Sequence, residues 1–153
     1  NQTDELIRIK LISEIHKNND FVPPRSLVNN ILNEYVKNEE EQAKKSKYPF
    51  NKEEARNRLE KSAENEVKWY LIKNEIQKAE NILLTDQDLN ELAESESVKT
   101  GLPVDKLINY YKSSNQGERI LDKKLFDFLK SNNTIVKVDA DKLKSKQEVK
   151  DEK

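Results

Sequence analysis

The sequence has no cysteine, no methionine, two glycines and one histidine among its 153 residues. Without cysteine, disulfides and thiolate metal sites are excluded, and the redox compartment stays open. With His16 as the lone imidazole, a His-based metal site or a His-dependent triad has almost nothing to work with. Gly101 and Gly117 stand isolated, so there is no phosphate-cradling loop, and folds built on glycine-rich turns are disfavoured. No run is apolar for long enough to span a bilayer, and no signal peptide opens the chain. The missing methionine suggests an excerpt from a longer polypeptide.

Charge is abundant instead. The chain is 37% charged and 34% hydrophobic, with mean hydropathy −1.00. Its 28 basic and 29 acidic residues leave a net charge of −1. That balance carries no footprint for nucleic acid or a membrane surface. It suits an elongated all-α domain with thin layers better than a large globule. Carboxylates are plentiful, but Glu39-Glu40-Glu41 and Glu148…Glu152 sit in solvated charge runs. A general acid needs a desolvated partner pair, and none stands out. The expectation is no catalytic residue, no metal and no cofactor.

Asn51 to Asn81 holds the longest uninterrupted helical pattern, including the single tryptophan, Trp69. Asn51 with Glu54 reads as a capping box, and Glu53 and Glu54 suit the helix dipole. At ~1.5 Å per residue the helix is roughly 45 Å long. Ala55, Leu59, Ala63, Val67 and Tyr70 lie on one face; Trp69, Ile72, Ile76 and Ala79 lie on another, roughly 140° away. Two readings fit: a strut shared by two helical units, or a core helix buried all round near its middle.

Around it the chain reads as further helices. Residues 3–18 are helical in expectation, with Leu6, Ile7, Ile9, Leu11, Ile12 and Ile15 pointing nearly all round. Such a helix is buried between several neighbours, or its Ile7–Leu11 alternation is a strand. Phe21-Val22-Pro23-Pro24 is extended. Leu27, Val28, Ile31, Leu32, Tyr35 and Val36 form a narrow stripe suited to an antiparallel hairpin with Ala55–Val67. Lys37 to Tyr48 is the solvated end of that hairpin, helical through local ion pairs, or a mobile loop. Tyr48 and Phe50 put two aromatics at the tip, and a hydrophobic staple explains Phe50 about as well as a contact surface does.

Thr85-x-x-Asp88 caps a helix to about Lys99, and Gly101-Leu102-Pro103 stops it and starts the next. Val104, Leu107, Ile108 and Tyr111 face a core, which puts Tyr110 to one side. The last helix, 118–131, buries Leu121, Leu125, Phe128 and Leu129 and shows Phe126 on the opposite face. Residues 134–138 read as extended, and 140–153 as a charged, disordered tail. The domain division is then one helical domain at 1–139: an arm at 22–66, a strut at 52–82 and a three-helix layer at 85–131.

After the stripes are packed, apolar surface is left at Trp69 or Tyr70, Tyr110, Phe126 and Tyr35. Scattered groups of this kind bind partner segments weakly and without strict sequence. The order of motifs also resembles a known family. Val22-Pro23-Pro24…Leu27-Val28, Arg58-Leu59…Glu66-Val67…Leu71-Ile72…Glu75-Ile76, Ile82…Thr85-Asp86, Gly101-Leu102-Pro103…Tyr110-Tyr111 and Leu125-Phe126-Asp127-Phe128-Leu129 are similar, in that order, to the C-terminal domain of bacterial trigger factor. The likeness to the chaperone domain of SurA-like isomerases is more distant.

The resemblance implies an elongated all-helical chaperone domain of a cytoplasmic, ribosome-associated protein, cradling unfolded or nascent polypeptide without ATP. By position, its client contacts fall at Tyr35, Trp69, Val98, Leu107 and Tyr110. Ser95-Glu96-Ser97 replaces the family's usual apolar positions, which weakens the expectation of contact there. The family's ribosome-docking loop and FKBP-like isomerase domain are not in the sequence, so neither activity is expected of the chain itself. Weak homodimerisation is compatible with this reading. The alternative is a helical adaptor or dimerisation module with one specific protein partner.

Overall fold

The computed structural model describes residues 2–136. The charged tail expected at 140–153, and the end of the extended piece before it, lie outside the described residues. Six helices make up the described chain, with no strand: α1 (Gln2–Asn18), α2 (Arg25–Ser46), α3 (Lys52–Ala79), α4 (Asp86–Thr100), α5 (Val104–Ser113) and α6 (Gln116–Ser131). The fold is all-α.

Local chemistry sets the helix ends. Asn51 Oδ1 accepts from the backbone N–H groups of Glu53 and Glu54 at 3.1 and 3.2 Å, satisfying donors that α3 cannot. Thr85 and Asp88 form the full reciprocal capping box on α4. Gly101 closes α4 with φ at +72°, in the left-handed region where a Cβ is unfavourable. The polar stretch after Val36 is helix, not loop. α2 runs on to Ser46, helped by the Glu40–Lys44 pair at 2.7 Å and by Arg58 of α3 reaching Glu39.

Three apolar clusters hold the helices together. The first is the α2–α3 hairpin: Val28, Leu32 and Val36 pack on Ala63 and Val67, with Phe50 and Leu59 at its edge. Ala55 and Ala63 are buried too, and their small side chains let the two backbones approach. Arg56 stitches the same joint, donating to Asn33 Oδ1 at 2.6 Å and Asn29 Oδ1 at 3.1 Å. The second cluster joins α4 and α5 through Leu89, Ala93, Leu107 and Tyr111. The third sets Leu125, Phe126 and Leu129 of α6 against Leu11, Ile12 and Ile15 of α1 and Trp69 and Ile76 of α3. The two faces of the α3 stripe therefore meet different neighbours, α2 along the first half and α1 with α6 along the second.

Two expectations need correction. Phe126 is not an exposed leftover; it is buried under the Arg8 guanidinium, 4.2 Å from its ring centre, and against the Trp69 ring at 5.7 Å. α1 and α3 pack over Leu125 and Leu129 of the stripe and extend round α6 to Phe126. The helix reading of α1 holds, but burial between several neighbours does not. Leu11, Ile12 and Ile15 pack on α6 and α3, while Leu6 and Ile9 are exposed.

Candidate functional site

Along α3, one face alternates between floor and wall for two open grooves. At 100° per residue Lys61, Asn65, Lys68, Ile72, Glu75 and Ala79 fall within one sector of the helix. The last turn of α1 crosses this sector. Asp20 accepts from Lys68 Nζ at 3.0 Å, and the His16 ring stands edge-on to Trp69 with centroids 6.4 Å apart.

Beyond the crossing, Ile15, Phe21, Leu71, Ile72, Ile76 and Leu129 line a groove of about 630 Å³, with Glu75 and Glu80 among its polar lining. On the other side of α3 lies a smaller groove of about 290 Å³, between Leu27 and Ile31 of α2 and Val67 and Tyr70. Tyr70 leaves the α3 stripe and is 52% exposed. Two neighbouring positions of one helix, 70 and 72, thus open toward two different grooves.

The five positions expected to meet a partner differ in exposure. Val98 on α4 is 89% exposed and Tyr110 on α5 is 58% exposed. Leu102 between them in sequence is also exposed. Tyr35 is half-buried at the edge of the α2–α3 cluster and donates its hydroxyl to Glu66, which borders the smaller groove. Trp69 is part-buried among α1 and α6, so its ring serves packing first. Leu107 is 6% exposed and belongs to the α4–α5 core, where its place in the stripe puts it, packed with Leu89, Ala93 and Tyr111. A partner reaches it only if that hairpin opens.

Phe21 was not among the expected contact residues, and of the alternatives Trp69 and Tyr70 it is Tyr70 that is exposed. Phe21 follows a helix stop and precedes two prolines, where an aromatic has no helical partner of its own. Tyr70 sits three residues after Val67, at the edge of the α2-facing stripe rather than under it.

The two largest shifts among the titratable groups sit where helices join. Lys124 beside Asp88, with Thr85 donating to it, holds that carboxyl at about 2. The same ammonium donates to Leu83 O at 2.8 Å, pinning α6 to the start of α4. Burial first, and then the Glu96 carboxylate, push the Tyr111 phenol up to about 12. Burial and the nearby Lys68 charge lower His16, keeping its ring neutral at pH 7. No metal-holding cluster occurs among the described residues, and no helix there is long and apolar enough to cross a membrane.

Together these features define an all-helical domain built around one long helix, with apolar grooves open on two of its sides. Residues 1–146 match the family described as bacterial trigger factor protein C-terminus, and the chain belongs to that family. Trigger factor of Chlorobaculum tepidum is 33% identical over 140 residues, covering 87% of this chain and 32% of that protein. Those of Chlorobaculum parvum and Chlorobium phaeobacteroides are 29% and 28% identical, over 87% and 88% of the chain. The chain spans about a third of the length of these relatives. No solved structure matches it.

Proposed function

We propose that this domain is the part of a trigger factor-like chaperone that holds unfolded or nascent polypeptide, without ATP or any cofactor. The supporting observation is the open apolar floor formed by Phe21, Leu71, Ile72 and Ile76 beside α3, with Tyr70 and Leu27 exposed across the helix. Val98 and Tyr110 supply a further site away from α3.

The energetics favour loose capture. Covering about 200 Å² of apolar surface in one groove releases roughly 5 kcal/mol at ~25 cal/mol per Å². Ordering about four residues of a flexible client costs a comparable amount, at ~1–2 kcal/mol per residue. One groove alone therefore binds weakly, and useful affinity comes from several grooves engaging one chain. Contacts that depend on apolar area rather than aimed donors also tolerate many client sequences. On this reading ribosome docking and prolyl isomerisation belong to other parts of a longer, cytoplasmic protein.

A suppression-of-aggregation assay with two unrelated unfolded clients tests the proposal. Protection of both, weakened by Tyr70→Ser with Ile72→Ser, supports it. Protection of neither, with tight saturable binding to one folded protein, favours a dedicated adaptor instead.

A further inference from the structure

We infer that protonation of His16 releases the last turn of α1 from α3, uncovers Trp69 and joins the two grooves that this crossing keeps apart. One groove, about 700 Å³, is lined by Ile12, His16 and Asp20 with Lys61 and Lys68 of α3. The other is the apolar groove of Ile15, Asn19 and Phe21 with Leu71, Ile72 and Ile76. α1 is the wall between them, presenting positions 12, 16 and 20 to one and 15 and 19 to the other. The switch stands apart from the holding function; on that reading it enlarges the apolar floor open to a client as pH falls.

The wall is lightly anchored. Among the described residues α1 has none that is fully buried, whereas each of the other five helices has two or more. An element with so little buried surface opens at a fraction of the free energy of global unfolding. Beyond Ile15 its tie to α3 is made by rings and one ion pair. The His16 ring stands edge-on to Trp69, and the Lys68 ammonium lies 5.6 Å from the Phe21 ring centre. Lys68 also donates to Asp20, but Asp20 is 91% exposed, and so solvated a pair contributes little.

His16 is the titratable part of that tie. Its ring is half-buried, with Nε2 fully enclosed and without a hydrogen-bond partner among the described residues. A neutral ring leaves only a bare lone pair there. Imidazolium puts an N–H and a positive charge in the same place with no acceptor. The neighbouring charges do not compensate. Lys68 and Lys61 stand on the α3 side of the groove and Lys17 on α1. Asp20 is the one carboxylate lining it, and Lys68 holds it. Glu14 and Glu64 are engaged by Lys17 and Lys61 at 2.6 and 3.4 Å. The α6 partners of α1, Asp122 on Arg8 and Lys130 on Asp4, lie two or more turns toward its N-terminus. The carbonyl end of α1 favours a cation, but Asn19 already caps it, donating to the Ile15 and His16 carbonyls at 2.9 and 3.4 Å.

Burial, and then the Lys68 charge, hold His16 below its ordinary 6.5. A base held down in this way stabilises the closed crossing fully above about 6.5, and that contribution falls as the pH drops further. One pH unit below 6.5 the released form gains by up to about tenfold.

Amide hydrogen exchange and acrylamide quenching of Trp69, in the full chain at about pH 7.5 and about pH 5.5, test the switch. His16 is the only imidazole and Trp69 the only tryptophan, so each reading has one source. After correction for intrinsic exchange rates, the amides of 13–18 should exchange up to about tenfold faster at the lower pH, with Trp69 more readily quenched. Amides of Leu32 and Ala63 in the α2–α3 hairpin should keep their protection. His16→Asn should remove the pH dependence. Because that substitution can itself loosen the crossing, the imidazole of the unaltered chain is also titrated by proton NMR, with a midpoint expected below 6.5. No pH effect on α1 exchange or on Trp69 overturns the inference. So does the same effect in His16→Asn, protection lost at Leu32 and Ala63 together with α1, or an imidazole midpoint at 6.5 or above. No client is present in these measurements, so their failure leaves the holding function standing.

Discussion

Replacing Asp88 with asparagine removes one charge from the joint between α4 and α6 and leaves the shape of the side chain nearly intact. The carboxylate meets Lys124 Nζ at 3.0 and 2.8 Å, and the backbone N–H and hydroxyl of Thr85 both donate to it at 2.8 Å. These partners move its titration from the ordinary 3.8 to about 2. At 1.36 kcal/mol per pH decade that is worth ~2 kcal/mol before screening. Lys124 is 36% exposed and Asp88 20% exposed, so solvent and salt reduce this to roughly 1–1.5 kcal/mol. Asparagine keeps one acceptor for Thr85, so the cap is weakened rather than lost.

The pH dependence has a definite sign. A depressed carboxylate stabilises the fold fully above its unfolded value near 3.8 and loses that contribution as pH falls through about 2. Urea unfolding followed by Trp69 fluorescence and far-ultraviolet circular dichroism should therefore show D88N weaker by roughly 1–1.5 kcal/mol at pH 7. The gap should narrow between about pH 4 and pH 2 as the unfolded chain takes up the proton first, and close below about 2, where the folded carboxyl is uncharged as well. A gap that stays constant over that range, or no gap at pH 7, refutes the reasoning. Adding Lys124→Met to D88N should still cost about 0.5–1.5 kcal/mol, because the ammonium's bond to Leu83 O outlasts the loss of the Asp88 charge.

Other outcomes follow from the same packing. Leu125→Ala, at a position with no exposure between α1, α3 and α6, should cost about 2–5 kcal/mol in urea unfolding and red-shift Trp69 emission. Ala63→Leu forces extra methylenes into the close α2–α3 contact, where Ala63 has no exposure, and should cost about 1–3 kcal/mol or more in the same assay. His16 is held neutral by burial and by Lys68. The melting temperature should therefore drop as pH falls below about 6.5, and His16→Asn should flatten that part of the profile.

Helix positions and caps were legible because they depend on local chemistry. Asn51, Thr85 with Asp88, and Gly101 mark their ends through backbone groups that need partners within three or four residues. Val28, Leu32, Val36, Ala63 and Val67 were legible as a pair of matching stripes. Phe126 was not, because periodicity says which residues share a face but not how many faces are covered. The cover that α1 and α3 give α6 reaches beyond the stripe, from Leu125 and Leu129 to Phe126, so the off-stripe aromatic is core. Leu6 and Ile9 show the opposite error, an apolar surface on α1 that the described residues leave open.

The candidate surface was legible only in part for a related reason. Leu107 and Tyr110 lie three positions apart on α5, yet one is core and the other exposed. Trp69 and Tyr70 are adjacent, and the exposed member is the tyrosine. Which member faces solvent depends on where α1 and α6 dock, and that is set by contacts remote in sequence.

The central claim is that open apolar grooves along α3 hold unfolded polypeptide. Its most direct measurement is methyl and amide shift mapping of the chain on adding an unfolded, apolar-rich client. The account predicts shifts concentrated at Phe21, Ile72 and Ile76 and at Leu27 and Tyr70, fast exchange, and weaker binding in Tyr70→Ser with Ile72→Ser at unchanged stability. Shifts that avoid both grooves, or binding untouched by that double substitution, would contradict it.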